Sequence, residues 1–274
     1  MTFSTPIDIP QPPFQIEPDD ELLFLGSCFA DNIGQHFAAS RLHAVVNPRG
    51  TMYNPASILH TLQLCPNLSP RIAFLTLGTN HVYRLRETGE IVDNCEKRPA
   101  RLFQEEELSV DACADYLCQC VAVLRERRPD VHVVFTVSPI RYRKYGYHES
   151  QLSKATLLLA VDKVISLHSS PSSLHSPLSS LLYFPAYEIV LDELRDYRFY
   201  QPDMLHPSEQ AVDYIFERLS QHFFSPRLKE FLRLWEPIRA ALAHRPFHPE
   251  SEEYQHFLAE TKRKEAALLA QYGL

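Results

Sequence analysis

Short apolar runs alternate with longer amphipathic stretches over the first 224 residues. Three of these runs have the length and apolar content of buried strands: ELLFL at 21–25, RIAFLTL at 71–77 and VHVVFTV at 131–137. Helical periodicity is present at three places: 29–40, 105–128 and 151–167. Strands that alternate with helices pair in parallel through crossover helices. The pattern therefore predicts an α/β fold, a three-layer α/β/α sandwich with a mainly parallel central sheet.

Four other segments add detail to this pattern. Residues 81–94 alternate around Thr88-Gly89 and predict a hairpin. The serine-rich stretch 166–182, with two prolines, predicts a mobile loop, and LLYFPAYEIV at 181–190 has the composition of a strand. An amphipathic helix is expected to begin at Pro207, because proline suits the first position of a helix.

Beyond residue 224 the pattern is helical throughout. Residues 227–243 and 250–271 form two helical stretches separated by HRPFHPE. We therefore divide the chain into an α/β domain over 1–224 and a helical C-terminal extension over 225–274 that packs on it.

Small polar residues follow three of the predicted strands directly. They are Gly26-Ser27-Cys28, Gly78-Thr79-Asn80 and Ser138-Pro139. In an open parallel sheet, ligands bind outside the carboxyl ends of the strands, so these residues are expected along one functional edge.

Composition narrows the classes of partner. The formal net charge of −7 and the absence of any basic run of five or more residues argue against nucleic acid or an anionic membrane surface. No apolar stretch approaches 18 residues, and the proline-rich, acidic N-terminus lacks the features of a signal peptide. The six cysteines show neither metal-knuckle spacing nor the density of a disulfide scaffold, so we expect reduced thiols in a cytoplasmic protein.

Two adjacent side chains at the first strand–helix junction can act as nucleophiles. Cys28 is the first choice; Ser27 is the alternative, although serine at this position is also a good helix N-cap. Near the end of the domain, Asp203 and His206 are three positions apart, immediately before Pro207. An aspartate at this spacing can orient the imidazole that takes a proton from the nucleophile.

The motifs together resemble a known family. LGSCFADNIG at 25–34 resembles the motif that names the GSCFA-domain family, within the SGNH/GDSL hydrolase superfamily. NPRGTMYNP, TVSPIR, the pair Ser153-Lys154 and the segment from Tyr183 to Ile215 also match, so the resemblance covers about residues 20–220. It implies a flavodoxin-like α/β/α sandwich and an esterase, lipase or carbohydrate deacetylase that needs no metal or organic cofactor.

The resemblance also implies roles for individual residues. Cys28 occupies the place of the superfamily's nucleophilic serine, and Ser27 that of the preceding aspartate. The oxyanion hole would comprise the N–H groups of Cys28 and Gly50 and the side-chain amide of Asn80. Asp203 and His206 match the final Asp-x-x-His block, whereas His81 stands where the superfamily has an aspartate. We expect the helix N-terminus and His206 to lower the pKa of Cys28.

Other polar residues in these motifs are candidates for substrate contact. Five lie near predicted strand ends, where loop hydrogen bonding is the alternative role: Asn54, His81, Tyr83, Arg141 and His148. A dense polar group precedes the Asp-x-x-His block, where it either holds that loop or contacts substrate: Tyr187, Asp192, Arg195, Tyr197, Arg198 and Tyr200.

The expected function is hydrolysis of an O-acyl ester, such as an acetyl ester of a carbohydrate or of another small molecule. Acyl transfer through the same thioester is one alternative, and a non-catalytic module that binds acylated glycans is another. A metal site made by His81, His206 and a cysteine is a third, for which no zinc-type spacing is present. The oligomeric state and the identity of the acyl group stay open.

Overall fold

A five-stranded parallel sheet forms the centre of the protein. The computed structural model describes residues 4–93, 98–169 and 180–274. These residues form eight strands: β1 (Leu22–Gly26), β2 (Ala44–Val46), β3 (Ile72–Leu77), β4 (His81–Leu85), β5 (Ile91–Val92), β6 (Phe103–Glu107), β7 (His132–Val137) and β8 (Leu181–Tyr183). The central sheet has the order β2-β1-β3-β7-β8, with every neighbouring pair parallel.

This strand order is the flavodoxin-like order, which confirms the predicted fold class. The chain moves outward from β1 to β2, then returns to the other side of β1 for β3 and continues from there. The order reverses between β1 and β3, and at such a switch point the loops after the two strands diverge and leave a crevice. Cys28 and Gly78 follow these two strands.

A small antiparallel sheet with the order β5-β4-β6 lies beside the central one. The predicted hairpin over 81–94 is confirmed by the pairing of Tyr83 with Val92. Residues 105–107, however, were assigned to a helix and instead belong to β6, which pairs with β4. The run FQEEE has little intrinsic strand preference, so pairing with a neighbour decides its conformation.

Helices cover both faces of the central sheet. The described helices are α1 (Cys28–Ala39), α2 (Pro55–Leu64), α3 (Val110–Arg127), α4 (Tyr147–His168), α5 (Ala186–Glu188), α6 (Glu209–Phe223), α7 (Pro226–Ala243) and α8 (Glu252–Tyr272). Alternate strand residues point to opposite faces. Leu23 and Leu25 pack with α2, α3 and α4, whereas Leu22 and Phe24 pack with α1, α6 and α7.

Three predicted boundaries near the end of the domain are wrong. The strand predicted over 181–190 ends at Tyr183; Pro185 has no N–H for a sheet, and the chain continues as α5 and a π-helical stretch, Ile189–Leu194. Helix α6 begins at Glu209 rather than Pro207, with the Ser208 side chain capping Ala211 N–H. Of the predicted loop over 166–182, residues 170–179 lie outside the described residues, and α4 continues to His168.

The C-terminal helices share a core with the α/β domain. Trp235 of α7 and Tyr272 of α8 belong to the same buried cluster as Phe37 of α1. The indole Nε1 of Trp235 donates to Ala39 O at 3.2 Å, at the end of α1. None of the helices in the described ranges has both the length and the apolar content needed to cross a membrane.

Candidate active site

The turn from β1 into α1 is possible only with glycine at its first position. Gly26 has φ +136°, and a Cβ there would lie 2.0 Å from Thr76 O on the neighbouring strand β3. Ser27 N–H donates to that same oxygen at 3.2 Å. Close contact between the backbones of β1 and β3 therefore fixes the point at which the chain turns out of β1 into α1, where Cys28 lies.

Asn47 clamps this turn through three side-chain hydrogen bonds. Its Oδ1 accepts from Gly26 N at 2.9 Å, and its Nδ2 donates to Gly26 O at 3.1 Å and to Asp31 Oδ1 at 2.7 Å. Asn47 itself has φ +37°, a conformation that asparagine tolerates better than most residues. Asn47 is the first residue of the motif NPRGTMYNP, but its role as a clamp has no signal in the sequence.

Ser27 is the N-cap of α1, not an exposed hydroxyl. Its side chain is fully buried, and its Oγ accepts from Phe29 N at 3.3 Å. The structure thus gives Ser27 the capping role, and its alternative assignment as nucleophile is not supported.

Cys28 is the first residue of α1 and is partly buried. Burial raises the pKa of its thiol, and the carboxyl group of Asp31 acts in the same direction. The backbone N–H groups of Cys28 and Phe29 and the charge of Lys154 lower the pKa of the thiol, but by less than burial raises it. The expectation of a lowered pKa for Cys28 is therefore wrong. Burial of the sulfur outweighs the helix N-terminus.

A buried lysine, Lys154, also acts on the pKa of this thiol. Its side chain is 2% exposed, and Nζ donates to Gly78 O at 2.6 Å and to Ser138 O at 2.8 Å. Burial lowers the pKa of Lys154 to about 7, and the Cys28 charge raises it. Lys154 came up in the sequence only as half of the motif Ser153-Lys154, without a role.

Tyr142 lies beside Gly78 and Lys154. Its Oη lies 2.8 Å from where a Gly78 Cβ would be, which explains the glycine after β3. Within the described residues this buried hydroxyl has no hydrogen-bond partner. Burial raises the pKa of Tyr142, and charge on Tyr53 and Cys28 raises it further, so the phenol stays protonated near neutral pH.

Asp203 and His206 form the predicted pair. Asp203 Oδ2 lies 2.6 Å from His206 Nδ1, while Oδ1 accepts from the backbone N–H groups of His206 and Leu205. These backbone bonds, with the imidazole contact, lower the pKa of Asp203 to about 2. With Nδ1 facing the carboxylate, Nε2 is the nitrogen left to exchange a proton. In the described structure the Cys28 sulfur has no hydrogen bond to His206.

Arg141 holds this loop at the carboxyl end of β7. Its backbone N–H donates to Leu205 O at 3.1 Å, and its guanidinium donates to Met204 O at 2.9 Å. The guanidinium also lies over the rings of Tyr147, Tyr197 and Tyr200, 4.3, 5.7 and 5.6 Å from their centroids. These contacts position the loop, which is the alternative role given for Arg141, and its contact with substrate stays a prediction.

The loop also meets the helix that carries Cys28. Gln201 and Pro207, which flank the Asp203–His206 pair, line a cavity of about 350 Å³ together with Asn32 and Gln35 of α1. Asn32 lies one helical turn beyond Cys28. The loop therefore contacts the helix that begins at Cys28, and its hydrogen bonds to Arg141 hold it near the carboxyl end of β7.

Two expected oxyanion groups are engaged elsewhere. The single N–H of Gly50 donates to Asn47 O at 2.8 Å and closes an exposed turn, so it is not free to meet a ligand. Asn80 is 3% exposed, and its Nδ2 donates to Leu108 O at 2.8 Å, which leaves one amide hydrogen. Asn54, expected to contact substrate, is the buried N-cap of α2 and accepts from Ser57 N at 2.9 Å.

The other expected substrate contacts lie at the junction of β4 with α4. The buried ring of His81 stacks on Tyr145 at 3.8 Å, and burial lowers its pKa. Tyr83 donates to Glu105 at 2.9 Å and also bonds to Lys144. His148 is exposed on the first turn of α4.

The dense polar group before the loop makes mostly local contacts. Tyr187 donates to Gln151 on α4. Arg195 lies 3.7 Å from Asp192, and the Arg198 guanidinium lies over the Phe199 ring. With the contacts of Tyr197 and Tyr200 to Arg141, these interactions favour the role of holding the loop.

Three of the cysteines lie on α3. Cys113 and Cys120 are buried, and Cys118 is partly exposed. No group of three histidine, cysteine or carboxylate side chains converges within the described ranges in a way that could hold a metal ion.

Several solved structures have a similar chain path at low sequence identity. Three solved structures with a similar chain path are an acetyl esterase mutant with acetate ion (12% identity, TM-score 0.45, 79% of this chain and 99% of that one), a carbohydrate esterase family 3 protein from Talaromyces cellulolyticus (11%, 0.40, 79% and 98%) and a family two carbohydrate esterase from Clostridium thermocellum in complex with cellohexaose (12%, 0.42, 84% and 67%). A search of curated proteins gave no match.

The match to family models is more extensive. The model of the GSCFA family matches residues 21–69 and 66–219, and that of the GSCFA domain protein C-terminal domain matches residues 235–273. The first model alone covers well over half of the chain, including the turn at Cys28 and the loop at His206. The chain therefore belongs to the GSCFA family.

Proposed function

We propose that this protein hydrolyses acyl esters through a covalent thioester on Cys28. The observation that carries the proposal is the contact between the Asp203–His206 loop and the helix of Cys28. Cys28 begins α1 at the switch point between β1 and β3, and the hydrogen-bonded Asp203–His206 pair lies in a loop that meets the same helix and is held by Arg141 near the carboxyl end of β7. A positioned base is what a pure binding site would not need.

In the proposed reaction, His206 Nε2 takes the proton of the Cys28 thiol as sulfur attacks the acyl carbon. The carbon–oxygen bond of the ester then breaks, and His206 returns the proton to the departing alkoxide. Water, deprotonated by the same nitrogen, next attacks the thioester and releases the carboxylic acid and the thiol. Asp203, held ionised, keeps the imidazole oriented and stabilises its charged form.

The tetrahedral oxyanion needs hydrogen-bond donors. The proposed donors are Cys28 N–H, at the N-terminus of α1, and the remaining amide hydrogen of Asn80. Loss of one such donor typically costs roughly 2.7–4 kcal/mol of transition-state stabilisation. His81 and Tyr83, on the strand that follows the loop with Asn80, are proposed to contact the substrate.

The proposed substrates are small O-acyl esters, with acetylated carbohydrates as the first class to test. A hydroxyl acceptor in place of water would make the same thioester a transfer intermediate. Acceptor-dependent loss of free acid, with acylated acceptor as product, would identify a transferase. Binding of an acetylated sugar with no release of acetate would instead identify a binding module.

Two adjacent substitutions provide the test. Cys28→Ala should lower the rate of acetate release from p-nitrophenyl acetate and from acetylated sugars by about a thousandfold or more. Ser27→Ala should cost about 1 kcal/mol of stability through loss of the cap but keep turnover. Mass spectrometry of the protein quenched in acid should find one acyl group on the peptide that contains Cys28. Turnover that survives in Cys28→Ala would contradict the proposal.

A further inference from the structure

Lys154 is a buried charge that the proposed reaction leaves without a role. Its ammonium is held by the carbonyls of Gly78 and Ser138, which lie just after β3 and β7. Both carbonyls belong to the edge of the sheet that carries Cys28. A fully buried lysine is rare unless a counter-charge or a specific role compensates its desolvation.

The surroundings of Lys154 offer few counter-charges. Nζ lies 5.3 Å from the ring centroid of Tyr142 and 5.9 Å from that of Tyr187. Within the described residues no carboxylate lies within ion-pair distance of Nζ. The group whose charge favours the ammonium form is Cys28, and the ammonium in turn favours the thiolate. Burial and the carboxyl group of Asp31 oppose the thiolate, and each affects the pKa of Cys28 more strongly than Lys154 does.

We propose that Lys154 is a positioning residue for the nucleophile: its ammonium, fixed between the Gly78 and Ser138 carbonyls, stabilises the thiolate of Cys28. The carbonyl bonds fix the position of the charge, so that it does not need to reorganise when the thiol ionises. The inference rests on the proposed function only in taking Cys28 as the nucleophile.

The effect of Lys154 on the reactivity of Cys28 should depend on pH. Lys154 titrates near pH 7, because burial lowers its pKa to about that value. Below pH 7 the ammonium is present and promotes the thiolate; above about pH 8 the neutral amine no longer does. Tyr142 and Tyr187 are uncharged through this range because burial raises the pKa of both phenols. The contribution of Lys154 should therefore be complete on the acid side and vanish on the alkaline side.

The test is the rate of alkylation of Cys28 by iodoacetamide between pH 5.5 and 9, measured by mass spectrometry of the peptide. For the effect of the Lys154 charge on the pKa of Cys28 we take about one unit, the low end of the range for an opposite charge within about 4–6 Å. The unmodified protein should therefore react about tenfold faster than Lys154→Met at pH 6, and at nearly the same rate at pH 9. Lys154→Arg, which keeps its charge throughout, should retain the faster rate at every pH. Lys163→Gln, an exposed lysine paired with Asp111, is the matched control and should change nothing.

The alkylation rates test the role of Lys154 without any need for ester turnover. A rate ratio near one at pH 6 for folded Lys154→Met overturns the proposal, as does a ratio that is the same at every pH. Where Lys154→Met does not fold, the unmodified protein must show a shoulder near pH 7 in its alkylation profile, and the shoulder must persist in His206→Ala. A profile of constant unit slope, or a shoulder lost with His206, overturns it. Since alkylation needs no ester, a protein without esterase activity can still confirm the thiolate pair.

Discussion

Replacement of Gly26 by alanine should destabilise the protein far more than replacement of a glycine in an open turn. A Cβ on Gly26 would lie 2.0 Å from Thr76 O, and φ there is +136°. To reach even a tight contact the methyl group must withdraw by about 1 Å, which the paired strands β1 and β3 allow only by separating. Gly89 also has a positive φ, +73°, but a Cβ there has open space.

The expected magnitudes follow from these two geometries. A positive φ costs a non-glycine residue about 1–3 kcal/mol, and both variants share this strain. Only Gly26→Ala also disrupts buried hydrogen bonds, above all Ser27 N–H to Thr76 O, and each such loss costs about 1–3 kcal/mol. We therefore expect a loss of about 3–6 kcal/mol for Gly26→Ala and about 1–2 kcal/mol for Gly89→Ala.

Urea denaturation measures both variants. The single tryptophan, Trp235, is buried against the end of α1, so its fluorescence reports the unfolding of the region that Gly26 orients. Since natural domains have only about 5–15 kcal/mol of stability, Gly26→Ala is expected to be partly unfolded at 37 °C. If Gly26→Ala loses no more stability than Gly89→Ala, the reasoning from backbone contact is refuted.

Two other predictions concern the site. Asn47→Ala removes the three hydrogen bonds of the clamp and should lower the free energy of unfolding by about 2–4 kcal/mol, measured in urea; a loss within error of zero would show that the clamp is not needed. The pKa of Asp203, about 2, lies below its usual 3.8, so its ionised form stabilises the loop above pH 4. The amide NMR signals of His206 and Leu205 should shift as the pH falls from about 4 to 2, and titration near pH 4 would contradict the bond pattern.

Much of the fold was predictable because its signal is local. The strands β1, β3 and β7 are continuous apolar runs, which is typical of strands buried on both faces. The helices that follow show their periodicity and caps within a few residues, as at Ser27. A parallel sheet with crossover helices follows from these elements by general rules of connection.

The secondary structure was predicted wrongly where contacts with other segments override the local preference of the residues. The run at Phe103–Glu107 forms a strand only because β4 supplies a partner. The segment after Tyr183 has strand-like composition, but the sheet ends there and Pro185 turns the chain into a helical stretch. Neither outcome can be read from residues that are close in the sequence.

Some features of the candidate site follow from the order of the residues, and others depend on packing. Asp203 and His206 are three positions apart, and Cys28 follows a strand and a glycine, so their pairing, their edge of the sheet and the family were already evident in the order of residues. The engagement of the Gly50 amide, the burial that raises the pKa of Cys28 and the ammonium of Lys154 were not. They depend on groups brought together from distant parts of the chain, and both desolvation and the field of a buried charge are properties of the packed interior. The order of residues therefore identifies the candidate reactive groups, whereas packing sets which of them is buried, hydrogen-bonded or charged.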